Sequence, residues 1–323
     1  MNYRCSMVFS GVLLCWSAGI MAADDYPIRP ITLVSGYAPG GSSDAVARVL
    51  ADALGKELGQ QVVVMNRPGA GTTIAATSVA RAPADGYTLY LGSASLYGGD
   101  KALYPNITYE PEDFIAITKV SYSPLLLSVN RGTGIESVAD LIKRAKAEPG
   151  KLAYSSAGTG SIIHMGAVLF SREADIDMLH VPYKGGGPSV VALAAGEVSL
   201  SFSTAASVAP MIETGKVVGL AVTTAERFPL LPQYPTVSES GVPGYSLTNW
   251  YGVFAPAKTP DAIIERLFDA TTKVLRDPVI SEQLAKMGEV ADPSSNMVEF
   301  EAFALEEGKT SAQLATQTNA GKD

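Results

Sequence analysis

The chain has 323 residues, a formal net charge of −8 and two cysteines. That length allows two domains with real cores, and an acidic balance without a Lys/Arg block argues against nucleic acid or an anionic membrane surface as partner. Attraction of an anionic ligand would have to be local, because the overall field opposes it.

Arg4 is the only charge before Asp24, and Met7 to Ala23 is apolar and small. Residues 1–23 read as a secretory leader cleaved after Ala22 or Ala23. An uncleaved anchor is the alternative, and Ala22-Ala23 followed by Asp24-Asp25 favours processing. Leu13 and Leu14 stand before Cys15 where a lipoprotein needs small residues. Both cysteines, Cys5 and Cys15, lie in the leader. The mature chain therefore needs no disulfide and offers no thiol catalysis or Cys-bound metal.

Ile31 to Ser35 reads as a strand, and Tyr37-Ala-Pro-Gly-Gly41 ends it. Val46, Leu50, Leu54 and Leu58 then recur at helical spacing, with Arg48, Asp52 and Lys56 on the opposite face and Gly59 as the stop. A helix begun this way aims unpaired N–H groups into its loop. Gly40 and Gly41 leave them accessible, and Ser42 and Ser43 add hydroxyls. The chemistry suggested is anion capture without a charged side chain; the plainer reading is an ordinary βα turn. Asp44, in the first turn, is expected to hold the loop rather than touch an anion.

Gln61 to Met65 is a strand, Asn66-Arg-Pro-Gly-Ala-Gly71 a loop, Thr72 to Ala82 a helix and Tyr87 to Leu91 a strand. This β-α-β-α-β order predicts a doubly wound half. Ser93 and Ser95 follow its third strand, at the end where such sheets hold ligands. Ile115 to Val120 and Leu125 to Val129 read as two strands, and Ser137 opens a helix ended by Pro149-Gly150. Leu152 to Ser155 is a strand, Ser156-Ala-Gly-Thr-Gly-Ser161 a second Gly/Ser/Thr loop, and Ile162 to Phe170 a helix carrying His164. A lone histidine there is as readily a structural hydrogen-bonder as a ligand contact. Lys184-Gly-Gly-Gly-Pro188 reads as a surface turn, with a lid or hinge as the alternative. Strands and helices alternate on to Thr223, repeating the first half in plan. Trp250 to Phe254 is a strand, Pro260 to Leu275 and Val279 to Met287 are helices, and the polar end from Phe300 is helical.

Enzyme readings fare poorly. Only His164 and His180 exist. There is no G-x-S-x-G elbow, no Gly-Lys-Ser/Thr phosphate loop and no metal cluster, and Gly69-Ala-Gly71 is half a dinucleotide fingerprint with Ile74 at the third glycine position. A triad of Ser43, His164 and an Asp is not suggested by any spacing. No cofactor is expected. Two helix N-termini, one per half, point to a cleft in which each gives a carboxylate roughly 0.3–1 kcal/mol, up to about 2 when partly buried. Neither loop holds an arginine, which fits reversible binding.

Tyr26-Pro27, Tyr37-Ala-Pro-Gly-Gly-Ser-Ser-Asp44, Asn66-Arg-Pro-Gly-Ala-Gly71, Asp85-Gly-Tyr-Thr-Leu89, Val181-Pro-Tyr-Lys-Gly185, Leu220-Ala-Val-Thr-Thr224 and Pro235-Thr-Val occur in the order of one family. Over nearly the whole mature chain the sequence resembles the Bug, or TctC-like, extracytoplasmic solute receptors of tripartite tricarboxylate transporters. The resemblance implies an α/β, type II-like periplasmic binding protein: two doubly wound sheets, a ligand cleft between them and a Venus-flytrap closure. It implies a small carboxylate ligand (a dicarboxylate, a tricarboxylate such as citrate, an amino acid or an aromatic acid), a membrane permease as partner and a monomeric state. The loops matching Tyr37 to Ser43 and Ala157 to Ser161 would hold one carboxylate. Thr159, Gly160, Ser161 and His164 belong to the second of these sites. Ser93, Ser95, Tyr97, Tyr122, Phe202, Asn249 and Trp250 would meet the ligand's far end. The expected division is 24–126 with 237–323 as one domain and 127–236 as the other. A secreted serine hydrolase and a carboxylate sensor remain as alternatives.

Overall fold

A computed structural model describes residues 26–316; the expected leader lies outside them. Along the chain run β1 (Ile31–Ser35), α1 (Ser42–Leu58), β2 (Val62–Asn66), α2 (Thr73–Ala80), β3 (Thr88–Gly92), the short α3 (Gly99–Leu103) and β4 (Phe114–Asn130). Next come α4 (Val138–Ala147), β5 (Ala153–Ser156), α5 (Ile162–Ala174), β6 (Leu179–Pro182), α6 (Gly186–Ala195), β7 (Leu200–Thr204), α7 (Ala205–Glu213) and β8 (Val217–Val222). The chain ends with β9 (Thr248–Pro256), α8 (Asp261–Leu275), α9 (Pro278–Ala285), β10 (Val290–Ala291) and α10 (Met297–Thr316).

The first half folds for the reasons its sequence gives. β1 is apolar on both faces because helices cover both sides of a parallel sheet. It lies between β2 and β3, parallel to each. α1 buries Val46, Leu50, Leu54 and Leu58 on one stripe, and Gly59 ends it in the left-handed region at φ 69°. Each such buried side chain contributes roughly 1.5–3 kcal/mol. In the second half β5 lies parallel to β6 and β7.

The two expected strands around residue 120 are one, β4, and it serves both halves. Phe114 to Pro124 pairs with β9, whereas Leu125 onward pairs with β7 and β8. The partner changes at Pro124, which has no N–H to give a ladder. Strand order is therefore β2-β1-β3-β9-β4-β7-β5-β6, with β8 and β10 also on β4. The return crossing is at Leu247–Thr248, where the Leu247 amide bonds the Thr223 carbonyl before β9 begins. The expected division at 236/237 leaves residues 237–247 with the first lobe. Their apolar side chains, Val237, Val242, Tyr245 and Leu247, pack instead in the second lobe's core. Leu103 and Leu314, from the first lobe, reach into that same core. The lobes are thus packed together, with the cleft closed.

Candidate functional site

Four helices start at the junction of the lobes. α1 begins at Ser42, α5 at Ile162, α6 at Gly186 and α7 at Ala205. Residues at all four starts line one small cavity: Gly41, Ser42 and Ser43; Ala157, Ser161, Ile162 and Ile163; Gly186; Thr204 and Ser207. Tyr37 and Tyr251 complete the wall. Helix starts carry unpaired N–H groups and partial positive charge, so the wall is electropositive with no basic side chain in it.

The hydroxyls are held by neighbours. Ser42 Oγ lies 2.6 Å from the Tyr251 hydroxyl, and Ser43 Oγ 2.8 Å from Ser35 Oγ. Ser161 caps α5, its Oγ accepting from the His164 amide at 3.2 Å. Thr204 Oγ1 and Ser207 Oγ are 2.8 Å apart. Asp44 holds the first loop: its Oδ2 accepts from the Gly40 amide at 3.2 Å and from Arg48 Nε at 3.0 Å. Burial works against its charge, yet the bonds from Arg48 and Gly40 prevail and keep its carboxyl below the usual range.

Glycine lets the lobes meet backbone to backbone. The Ala38 amide donates to the Lys184 carbonyl at 3.0 Å. A Cβ on Gly187 would lie 3.0 Å from Gly40 C and O, and one on Gly71 only 2.5 Å from the Thr159 carbonyl. That carbonyl also accepts from the Tyr104 hydroxyl at 3.1 Å. The Lys184–Gly187 stretch is therefore an inter-lobe contact and the start of α6, not the surface turn expected.

Beyond Ile162 lies a second cavity, lined by Ser93, Ala94, Ser95, Gly160, Met165, Thr248, Asn249, Trp250 and Ser311. In each cavity the space open to a water centre is about 20 Å³, room for one or two waters.

Of the residues expected at the site, Tyr37, Gly41, Ser42, Ser43, Ala157 and Ser161 meet at the first cavity, and Ser93, Ser95, Gly160 and Trp250 at the second. Others lie off both walls. Gly40 is exposed and faces Gly187. Thr159 lines an outer groove with Gly71 and Tyr104. Tyr97 packs on Phe254 and α10. Tyr122 stacks edge-on against Phe228 and under Lys119. Phe202 is fully buried with Phe170 and Tyr245. His164 is a buried structural residue: its Nδ1 accepts from the Gly160 amide at 3.2 Å, and its ring stacks on His180 at 4.0 Å. Burial, then the neighbouring His180, push its pKa down to about 3, so it is neutral. Sequence reading missed Gly186, Thr204, Ser207 and Tyr251. The start of α6 had a signal in Gly-Gly-Gly-Pro before an apolar run.

A family model described as the tripartite tricarboxylate transporter family receptor, TctC, matches residues 46–319. The chain belongs to this receptor family. Protein BugT of Bordetella pertussis is 36% identical over 293 residues, covering 89% of this chain and 90% of BugT. Two solved structures share the fold closely. R. palustris Rpa4515 with adipate has a TM-score of 0.87 at 34% identity, covering 91% of this chain and 98% of that one. MatC of Rhodopseudomonas palustris with bound malate has a TM-score of 0.84 at 30% identity, covering 90% and 100%. The TctC-family chain is thus a solute-binding receptor, and its two cavities lie where its lobes meet.

Proposed function

We propose that this receptor captures a small carboxylate in the periplasm, as a monomer, and delivers it to the membrane permease of its transporter. The observation that carries the reading is the convergence of four helix N-termini on one cation-free cavity. One carboxylate would sit there against amides of Gly41–Ser43, Ser161–Ile163 and Gly186, with Ser161 and Ser207 hydroxyls beside it. The adipate and malate held by two relatives agree with a carboxylate ligand. The lobes would turn about the two crossings, Pro124–Leu125 and Leu247–Thr248.

A hydrolase reading lacks its machinery. Ser42 and Ser43 are engaged with Tyr251 and Ser35, and His164 Nδ1 is taken by an amide. A thermal-shift panel of carboxylic acids tests the proposal, since a ligand that binds only the folded state must raise its melting temperature. No shift from any acid at millimolar concentration would overturn it.

A further inference from the structure

Resting on that carboxylate reading, a buried acid outside both cavities bears on how the first of them is set. Glu289, just before β10, is fully buried. Its carboxylate is met by hydroxyls: Ser121 Oγ donates to Oε2 at 2.8 Å and Ser123 Oγ to Oε1 at 2.9 Å. Burying an acid without a cation is costly, and desolvation raises Glu289 to about 7 against the pull of those two bonds.

The serines belong to a larger buried group. Ser121 and Ser123 alternate along β4 and stand opposite Tyr251 and Asn249 of β9, so all four side chains share one face of the sheet. Each of the four is buried. Asn249 Nδ2 donates to Ser123 Oγ at 3.3 Å. The Tyr251 hydroxyl is 2.6 Å from Ser42 Oγ, and the Asn249 amide bonds it from the other side. A path of hydrogen bonds thus runs Glu289–Ser123–Asn249–Tyr251–Ser42. Its last two members line the first cavity, whereas Glu289, Ser121 and Ser123 line neither cavity.

The acid fixes the sense of this path. Ser123 has one hydrogen and Glu289 takes it, so the Ser123 oxygen can only accept. Asn249 therefore turns its NH2, not its carbonyl, toward Ser123. When that NH2 also donates to the Tyr251 oxygen, the Tyr251 hydrogen goes to Ser42 Oγ and the Ser42 hydrogen is left for the cavity. In the opposite sense Ser42 would donate to Tyr251 and turn its lone pairs on an anion. We propose that Glu289 is a positioning residue for the first cavity: through Ser123, Asn249 and Tyr251 it sets the Ser42 hydroxyl as a donor to the bound carboxylate. A donor oriented before the ligand arrives loses less on binding than one that must be turned.

Calorimetry at pH 7.5 uses the tightest binder among adipate, malate, citrate, glutamate and benzoate. Ser123→Ala removes nothing from either wall, yet it should weaken binding about five- to tenfold. Ser121→Ala takes the other hydroxyl from the same acid on the same strand but leaves the path whole, and affinity should stay within twofold. In a Tyr251→Phe background, where the path is already cut, Ser123→Ala should weaken binding by less than twofold. Circular dichroism checks each fold. Ser123→Cys, close in volume and a weak hydrogen-bonder, stands in if the alanine variant does not fold. Unchanged affinity in folded Ser123→Ala or Ser123→Cys would overturn the proposal. So would an equal loss in Ser121→Ala, or a Ser123→Ala loss undiminished beside Tyr251→Phe. If none of the five acids binds the wild type, the carboxylate reading itself falls and takes this inference with it.

Discussion

Gly187→Ala separates closure of the cleft from stability of the fold. Gly187 sits in the first turn of α6, outside the left-handed region, so alanine fits its backbone. In a helix alanine is favoured over glycine by about 1 kcal/mol, which should leave the second lobe as stable or slightly more so. The added methyl, however, lands 3.0 Å from Gly40 C and O and 3.2 Å from the Pro39 carbonyl, all across the lobe junction. These are backbone atoms, so relief requires the lobes to part by a few tenths of an ångström. Overpacking of this kind costs about 1–3 kcal/mol, and stretching the Ala38–Lys184 hydrogen bond adds to it. Charged only to the closed state, that is a loss of roughly 5- to 150-fold in affinity. Calorimetry with the tightest acid of the thermal panel, beside the melting temperature of the ligand-free protein, measures both halves. Affinity within twofold of wild type at unchanged melting would refute the close-packed junction.

Other outcomes follow from the buried ionisable groups and the helix cap. Glu289, raised to about 7 from 4.5, keeps its proton in the native state between those pH values while the unfolded chain has lost it. Stability therefore falls as pH rises through that window, by about 3 kcal/mol, and Glu289→Gln should remove that share of the slope in urea melts at pH 5 and 8, leaving the share of Asp100, which burial also raises to about 7. His164 has the opposite sign: with its native pKa near 3, the unfolded chain binds the extra proton below 6.5, and stability is lost as pH falls. That loss is roughly 4 kcal/mol by pH 3, and His164→Asn, whose Oδ1 can still accept from the Gly160 amide, should flatten the acid limb. Ser161→Ala deletes the α5 cap and should lower stability by about 1 kcal/mol in the same melts, with weaker acid binding by calorimetry.

What the sequence could reveal was local. An apolar strand, a Gly/Ser loop and an amphipathic stripe are contiguous, so the starts of α1 and α5 were legible, as was the alternation that makes an α/β fold. The start of α6 has a similar Gly signal, but only the opposing Ala38–Gly41 backbone makes it part of a cleft, and that contact spans almost 150 positions of chain. Aromatic positions failed for a different reason. Strands of a sheet covered on both faces are apolar throughout, so period gives no side to Phe202 or Tyr122. His164 was ambiguous because its stacking partner, His180, is brought alongside only by the parallel register of β5 and β6, which sets Tyr154 against His180.

If the carboxylate sits where proposed, the uneven sharing of helix ends between the lobes would set the order of binding. Three of the four starts, α5, α6 and α7, belong to the second lobe, and only α1 belongs to the first. An anion meeting the open cleft gains most from the second lobe, and closure then brings α1, with the Ser42–Tyr251 hydrogen bond, over it. Removing a first-lobe group should therefore speed escape without slowing capture. Tyr251→Phe leaves Ser42 Oγ without its 2.6 Å partner in a closed wall, a cost of about 1–3 kcal/mol. The dissociation rate should rise by roughly tenfold while the association rate stays within about threefold. Trp250 lines the second cavity and is the only tryptophan beyond the expected leader, so its fluorescence in stopped flow reports both rates. If the association rate fell in step with affinity, capture would begin on the first lobe, and the order argued from the helix ends would be wrong.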